Sequence, residues 1–227
     1  MIALSSDIAE GMPDDLQILP HIDTANVCCG AHAGSPALTR EVALQCVELR
    51  KEVGAHPGYE DPGNLGRVET RQTADEIETL VRRQVESLAE VTPVAYIKPH
   101  GALYHRCQMD ADAATALIRV ALAIGVGVVG QPGFGILRAA AYFGVPGHRE
   151  GFADRAYRSN GELQPRDRRG AVLSPDNAAH QAIELAKSTR YDVICIHGDT
   201  PGAADVARAV RHALSRIDIP TAPLRRA

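Results

Sequence analysis

Short apolar runs alternate with amphipathic stretches along the whole chain, and this alternation restricts the fold more than any other feature of the sequence. The runs are Ile2-Ala-Leu-Ser5, Ile22-Asp-Thr-Ala-Asn-Val27, Val53-Gly-Ala-His56, Val94-Ala-Tyr-Ile97, Val126-Gly-Val-Val-Gly130, the weaker Gly147-His-Arg-Glu-Gly-Phe152 and Asp192-Val-Ile-Cys-Ile196. They are shorter than helices, and most lack strict polar–apolar alternation, as strands buried on both faces of a parallel sheet do. The stretches between them carry helix signals. Ser35-Pro36 is an N-cap with Pro at the first helical position, opening a helix to about Lys51 with Leu38, Val42, Cys46 and Leu49 on one face. Thr73-Ala-Asp-Glu76 is a capping box for a helix to about Val91. Further helices are predicted from Asp110 to Ile124, closed by Gly125, from Pro132-Gly133 to Phe143, from Ser174-Pro175 to Ser188, and from Gly202 to Ile217. Repeated strand–helix units predict an α/β fold in one domain over residues 1–227, with a seven-stranded, distorted TIM-like β/α barrel ahead of an open doubly wound sheet.

Composition narrows the function classes. Hydrophobic residues make up 45% of the chain, enough for a sizeable core, and with 4% aromatics and no Trp that core is aliphatic. A formal net charge of -4 gives no reason to expect nucleic acid or an anionic membrane surface as partner. No apolar run approaches the roughly 20 residues of a spanning helix, and Met1-Ile-Ala-Leu lacks the basic start of a secretory signal. The 5 cysteines are odd in number, form no CxxC pair and include the adjacent Cys28-Cys29, which predicts reduced thiols in a cytoplasmic protein.

In parallel α/β folds the ligand site lies beyond the carboxyl ends of the strands. Here the strand exits collect Asp7 and Glu10, Asn26 and His32, His56, Lys98 and His100, then Glu150 with Asp154 and Arg155, and finally His197 and Asp199. Charges next to a core are costly unless paired or used, so this density marks a site. His21, His148, His180 and His212 lack that placement and read as ordinary structural histidines. Two chemistries fit. Imidazoles with a carboxylate such as Asp7 or Asp199 can hold a divalent metal that activates water. Alternatively an Asp or His acts as general base while Lys98 stabilises negative charge, with no metal. The chain has no HExxH and no dense His/Cys spacing, so no metal ligands are assigned. Cys28, Cys29 and Cys195 read as packing residues. Arg67 and Arg155 each suit a bidentate carboxylate or phosphate contact. The Gly/Pro-rich loop from Pro57 to Arg67 is long enough to be functional, and the polar excursion from Arg158 to Gly170 reads as a lid or flap. No GxxxxGK[ST] P-loop is present.

Several long motifs run in a characteristic order: Ala25-Asn-Val-Cys-Cys-Gly-Ala-His-Ala-Gly34, Gly54-Ala-His-Pro-Gly-Tyr59, Lys98-Pro-His-Gly-Ala-Leu-Tyr104, Phe152-Ala-Asp-Arg-Ala-Tyr157 and His197-Gly-Asp199. With these the chain resembles the LamB/YcsF family. The resemblance implies a seven-stranded barrel of the glycoside hydrolase/deacetylase-like group. It also implies one component of a bacterial ATP-dependent 5-oxoprolinase that works with subunits B and C. The implied reaction converts 5-oxo-L-proline, ATP and water to L-glutamate, ADP and phosphate, with ATP and a divalent cation such as Mg as cofactors and a homo-oligomer allowed; the sequence does not locate ATP, which a partner subunit could carry. Under this reading Asp7 or Asp199 with His56 and His100 moves protons, Lys98 covers the oxyanion or phosphoryl oxygens, and Arg67 or Arg155 takes the substrate carboxylate. Glu10, Asn26, His32, Glu150, Asp154 and His197 complete the substrate site. The chain departs from the family's opening motif, with Ala3, Ser5 and Ala9 in place of Asp, Asn and Gly, and again at Ser35, Leu65, Val68 and His105. Two other readings remain: a stand-alone metal-dependent amidohydrolase or deacetylase, and a non-catalytic subunit that binds a lactam or carbohydrate.

Overall fold

In the computed structural model, which describes residues 1–224, seven parallel strands close into a barrel in sequence order, β1 to β7, with β7 pairing back onto β1. The strands are β1 (Ala3–Ile8), β2 (Thr24–Cys28), β3 (Glu52–His56), β4 (Tyr96–Ile97), β5 (Gly127–Gly130), β6 (Gly147–Phe152) and β7 (Val193–His197). The helices are α1 (Asp15–Ile18), α2 (Pro36–Glu48), α3 (Ala74–Ala89), α4 (Gly101–Met109), α5 (Ala111–Ile124), α6 (Gly135–Phe143), α7 (Pro175–Lys187) and α8 (Ala203–Arg216). The predicted α/β class and distorted barrel are what forms; the open sheet is not.

The local signals act as their chemistry dictates. Ser35 Oγ accepts from the Leu38 amide at 3.2 Å to start α2, and Thr73 with Glu76 forms the reciprocal capping box of α3. Ser174 Oγ accepts from the Asn177 amide at 3.4 Å to start α7, and Gly125 ends α5 at φ 77°. Besides the single turn of α1, one helix goes unpredicted. The chain turns directly from β4 into α4, because Gly101 at φ 52° lets a helix begin two residues after Pro99. The sequence pattern shows only the following helix, α5, from which α4 is separated by Asp110.

The barrel interior is layered, as small barrels require. At the amino-terminal end Ala3, Tyr96, Val129 and Val193 form an apolar plug with Leu224. One pleat up, the Tyr96 hydroxyl donates to Asn26 Oδ1 at 2.6 Å and lies 2.7 Å from Thr24 Oγ1. Gly54 makes this layer: a Cβ there would run into the Tyr96 ring. Above it, at the carboxyl end, polar side chains replace apolar ones. The large apolar cluster, including Ile8, Val27, Val42, Val81, Leu117 and Val210, lies between strands and helices and holds the barrel rigid beneath that mouth. The excursion from Arg158 to Gly170 forms a small antiparallel arm, bridged at Tyr157–Leu163 and anchored at Arg155–Val172. No helix among the described residues is long and apolar enough to cross a membrane.

Candidate active site

A cavity of about 530 Å³ opens at the carboxyl end of the barrel, walled by Asp7, Lys98, Tyr104, Phe152 and His197 and roofed by Arg67, Arg155 and the arm residues Leu163 to Arg166. Strand geometry explains the wall. Ala3, Ser5 and Asp7 share the inward face of β1, and β1–β7 register sets Asp7 opposite His197, so a period of two delivers each side chain to the mouth.

Lys98 is the centre of charge. Buried, with 2% exposure, its ammonium lies 2.6 Å from Asp7 Oδ1, 3.0 Å from Glu150 Oε1 and 3.0 Å from Cys195 Sγ, 5.5 Å over the Phe152 ring. Burial alone would strip its proton, but Asp7, ahead of Cys195 and Glu150, pushes its pKa well above the usual lysine range, so it stays an ammonium. Burial works to raise Asp7 in turn, yet His56 and Lys98 hold its carboxyl well below the usual range. Asn26 Nδ2 donates to the same carboxylate at 2.8 Å. Burial wins at Glu150, whose pKa is raised despite Lys98 and a hydrogen bond from the Tyr104 hydroxyl at 2.9 Å. Two carboxylates thus share one buried cation, one firmly ionised and the other poised towards its neutral form.

His197 and Asp154 form a second unit. His197 Nδ1 lies 3.0 and 3.1 Å from the two Asp154 oxygens, and the His197 amide donates to Oδ2 at 3.2 Å. The carboxylate fixes the proton on Nδ1, which leaves Nε2 as a base. Asp154 is fully buried; burial works to raise its pKa, but His197 holds it below the usual range. Phe152 stacks on the imidazole at 5.1 Å between ring centroids and fixes its plane.

Three guanidiniums surround the entrance. Arg155 donates to the Gln164 carbonyl at 2.6 Å, and its Nε has no hydrogen-bond partner among the described residues. Burial, then Arg166, lowers its pKa to about 10, and the same two influences lower that of Arg67. Mutually repelling cations around a cavity favour an anionic occupant.

The sequence-predicted residues therefore divide into three groups. Asp7, Arg67, Lys98, Arg155 and His197 line the cavity together with His56 and His100, and Asn26, Glu150 and Asp154 lie behind its wall, bonded to Asp7, Lys98 and His197. Glu10, His32, His56 and His100 converge on one another, buried against its floor, with donor atoms within 4.8 Å. Asp199 is not brought to the imidazoles: it bridges Arg67 and Arg166, the latter at 2.9 Å, and so positions the arginine roof. His56 is a poor proton carrier, because burial pushes its pKa down to about 3. Sequence reasoning missed Arg166, Tyr104 and Cys195 as site residues. Cys195 had a legible signal, since it lies two residues before His197 and therefore faces inward beneath it.

Comparison with known proteins fits this geometry. The family model described as LamB/YcsF family matches residues 2–227. The chain belongs to the LamB/YcsF family. It is 38% identical to the A subunit of 5-oxoprolinase from Streptomyces coelicolor, over 94% of this chain and 96% of that protein. It is 36% identical to the corresponding 5-oxoprolinase subunit from Chloroflexus aggregans, over 91% and 90%. Among solved structures, the lactam utilization protein from Thermus thermophilus superposes with a TM-score of 0.90 at 31% identity, covering 98% of this chain and 99% of that one. A family 4 carbohydrate esterase from Streptomyces lividans shares the fold alone, with a TM-score of 0.57 at 12% identity over 95% of this chain and 88% of that one.

Proposed function

We propose that this LamB/YcsF chain is the A subunit of an ATP-dependent 5-oxoprolinase, opening 5-oxo-L-proline to L-glutamate together with subunits B and C. The observation that carries the reading is the convergence, in one cavity, of a buried ammonium, a His–Asp pair and a ring of guanidiniums. The substrate is a small anion, and a five-membered lactam is a resonance-stabilised amide whose hydrolysis at neutral pH needs activation. Phosphorylation of the lactam oxygen by ATP supplies that activation, and the chain's lack of a P-loop fits an ATP site on a partner subunit. The names of the relatives support both the lactam and the multisubunit parts of the reading.

In this reading Arg155 and Arg67 hold the substrate carboxylate. Lys98 faces the lactam oxygen and offsets its growing negative charge, an effect worth roughly 100- to 1,000-fold in rate. His197 Nε2 takes a proton from the water that attacks the carbon bearing the phosphorylated oxygen, the ring C–N bond breaks as that proton is returned to nitrogen, and hydrolysis of the acyl phosphate left behind releases phosphate and the glutamate carboxylate. This assigns proton transfer to His197 with Asp154 rather than to His56 and His100, whose outward nitrogens are committed to backbone carbonyls. The test is 5-oxoproline-dependent ADP release by the purified chain with and without its candidate partner subunits. Release only in the reconstituted mixture is expected; no release from any combination overturns the proposal. Lactam hydrolysis by this chain alone without ATP would favour the stand-alone amidohydrolase, a reading that the buried histidine cluster keeps in view.

A further inference from the structure

The carboxyl ends of β1, β2, β3 and β4, in the strand itself for His56 and just beyond it for the others, each send one donor to a single point: Glu10 Oε1, His32 Nε2, His56 Nε2 and His100 Nδ1. Glu10 Oε1 lies 3.3 Å from His32, 3.2 Å from His100 and 3.8 Å from His56, and the donor nitrogens of His56 and His100 are 3.0 Å apart. Four ligands around an ion at about 2.0–2.1 Å would be separated by about 3.3 Å along each edge of a tetrahedron. The observed spacings bracket that value.

Hydrogen bonding makes the contact between His56 and His100 informative. His56 Nδ1 is 2.7 Å from the Lys98 carbonyl, and His100 Nε2 is 2.9 Å from the Leu65 carbonyl. Carbonyls only accept, so both of these nitrogens carry hydrogen. A neutral imidazole has one N–H. His56 Nε2 and His100 Nδ1 therefore point lone pair against lone pair at 3.0 Å, which is repulsive unless a cation lies between them. The backbone carbonyls play the part that outer partners play for metal-bound histidines, fixing tautomer and ring plane.

We propose that Glu10, His32, His56 and His100 bind one divalent transition-metal ion of the zinc class. Three imidazoles and one carboxylate suit Zn²⁺, Co²⁺ or Ni²⁺; Mg²⁺ and Ca²⁺ take predominantly oxygen ligands. Packing supports a built site: His32 is 0% and His56 1% exposed, and the His32 and His100 rings stack at 3.9 Å. Gly66 permits this stack, since a Cβ there would lie 2.7 Å from His32 Cβ. Asp7 Oδ2, 3.6 Å from His56 Nε2, links the ion to the lysine side of the cavity. The mouth of the barrel would then have a metal half built at the ends of β1–β4 and, beside it, a half in which Lys98 from the exit of β4 meets Glu150 of β6, near Arg155 and His197. The inference goes beyond the lactam reading and does not depend on it.

The experiment uses the full chain, stripped with chelator, and Co²⁺ or Zn²⁺ as the probe with no substrate present. One equivalent of Co²⁺ should bind and give the intense visible bands of a four-coordinate ion, and X-ray absorption of the Zn²⁺ form should show three imidazole nitrogens at about 2.0–2.1 Å. His32→Ala and Glu10→Gln should each weaken binding by at least roughly 100-fold, more than loss of an outer partner does. If either variant fails to fold, the wild-type spectra decide. Failure of the folded wild type to bind either ion, an oxygen-only or octahedral spectrum, or undiminished affinity in the folded variants would overturn the proposal. None of these results bears on ADP release, so the two proposals fail separately.

Discussion

Replacing Lys98 by Met isolates the electrostatic argument for the site. The ammonium touches two buried carboxylates, Asp7 at 2.6 Å and Glu150 at 3.0 Å, and Met keeps the chain's volume without its charge. Removing one partner of a buried ion pair costs about 3–5 kcal/mol, because the other charge is left uncompensated. For a domain of this size each kcal/mol shifts Tm by about 2–4 °C, so a fall of about 6–20 °C is expected. The pH dependence gives the cause. In the wild type Asp7 has a lowered pKa, so its contribution is present above the ordinary carboxylate range and is lost as acid protonates it. Without Lys98, burial and mutual repulsion raise Asp7 and raise Glu150 further. A raised carboxylate stabilises the fold below its unfolded pKa and loses that contribution as pH rises through the folded one. The deficit against wild type should therefore be largest near neutral pH and shrink towards about pH 5. Urea unfolding of both proteins at the two pH values measures it, and Lys98→Met with Glu150→Gln should recover part of the loss. A deficit under about 1 kcal/mol, or one equal at both pH values, would refute the paired-carboxylate account.

Asp154→Asn should leave the fold in place but allow the wrong His197 tautomer, lowering ATP-coupled glutamate formation in the reconstituted complex by roughly 100- to 10,000-fold with little change in KM. Unchanged turnover would remove His197 from the role of base. Thr73→Ala breaks the capping box of α3 and should cost about 1 kcal/mol, read as a Tm fall of about 2–4 °C, with activity retained. The thiols of Cys28, Cys46 and Cys107 are pushed up to about 12 by burial, and that of Cys195 well above its ordinary value. Native protein at mildly alkaline pH should therefore leave these four unmodified by a disulfide reagent over minutes while unfolded protein titrates fully; fast native reaction mapped by peptide analysis to any of them would contradict this.

The strands were legible because residues buried on both faces must be apolar, which leaves short uninterrupted runs. The exits were legible because Gly, Pro and ionisable residues have no other reason to follow such runs so regularly. Partners were less legible. Asp7 and Lys98 are 91 residues apart, and only closure of the barrel makes them neighbours. Asp199 looked equivalent to His197 in sequence, but the turn after β7 points it at Arg67 and Arg166 instead. Arg166 was hidden in a segment without apolar periodicity, where side-chain direction follows from arm geometry rather than from pattern. The histidine cluster escaped for a related reason. Metal motifs are recognised by short spacing on one element, whereas these four donors come from four consecutive strand ends.

The departures at the start of the chain take on a different meaning once placed. They fall in the motif that supplies Asp7 and Glu10, which in sequence puts them beside the site. Ala3 lies two pleats below Asp7, roughly 13 Å down the strand, inside the apolar plug with Tyr96, Val129 and Val193. An aspartate there would be set among Tyr96, Val129, Val193 and Leu224, so Ala3 and the plug are a matched set. Ser5 lies one pleat below Asp7, fully buried, with its hydroxyl unbonded among the described residues. The position lies in a supporting layer below Asp7 rather than at the mouth. Ala9 adopts φ 65°, where glycine is favoured, and holds the turn that carries Glu10 towards the histidines. These three opening departures thus alter what supports the mouth, while Asp7, Glu10 and the groups that they touch stay in place; His105, a later departure, lines the cavity itself. That pattern is a change in the barrel's lower layers beneath an intact Asp7–Lys98 pair.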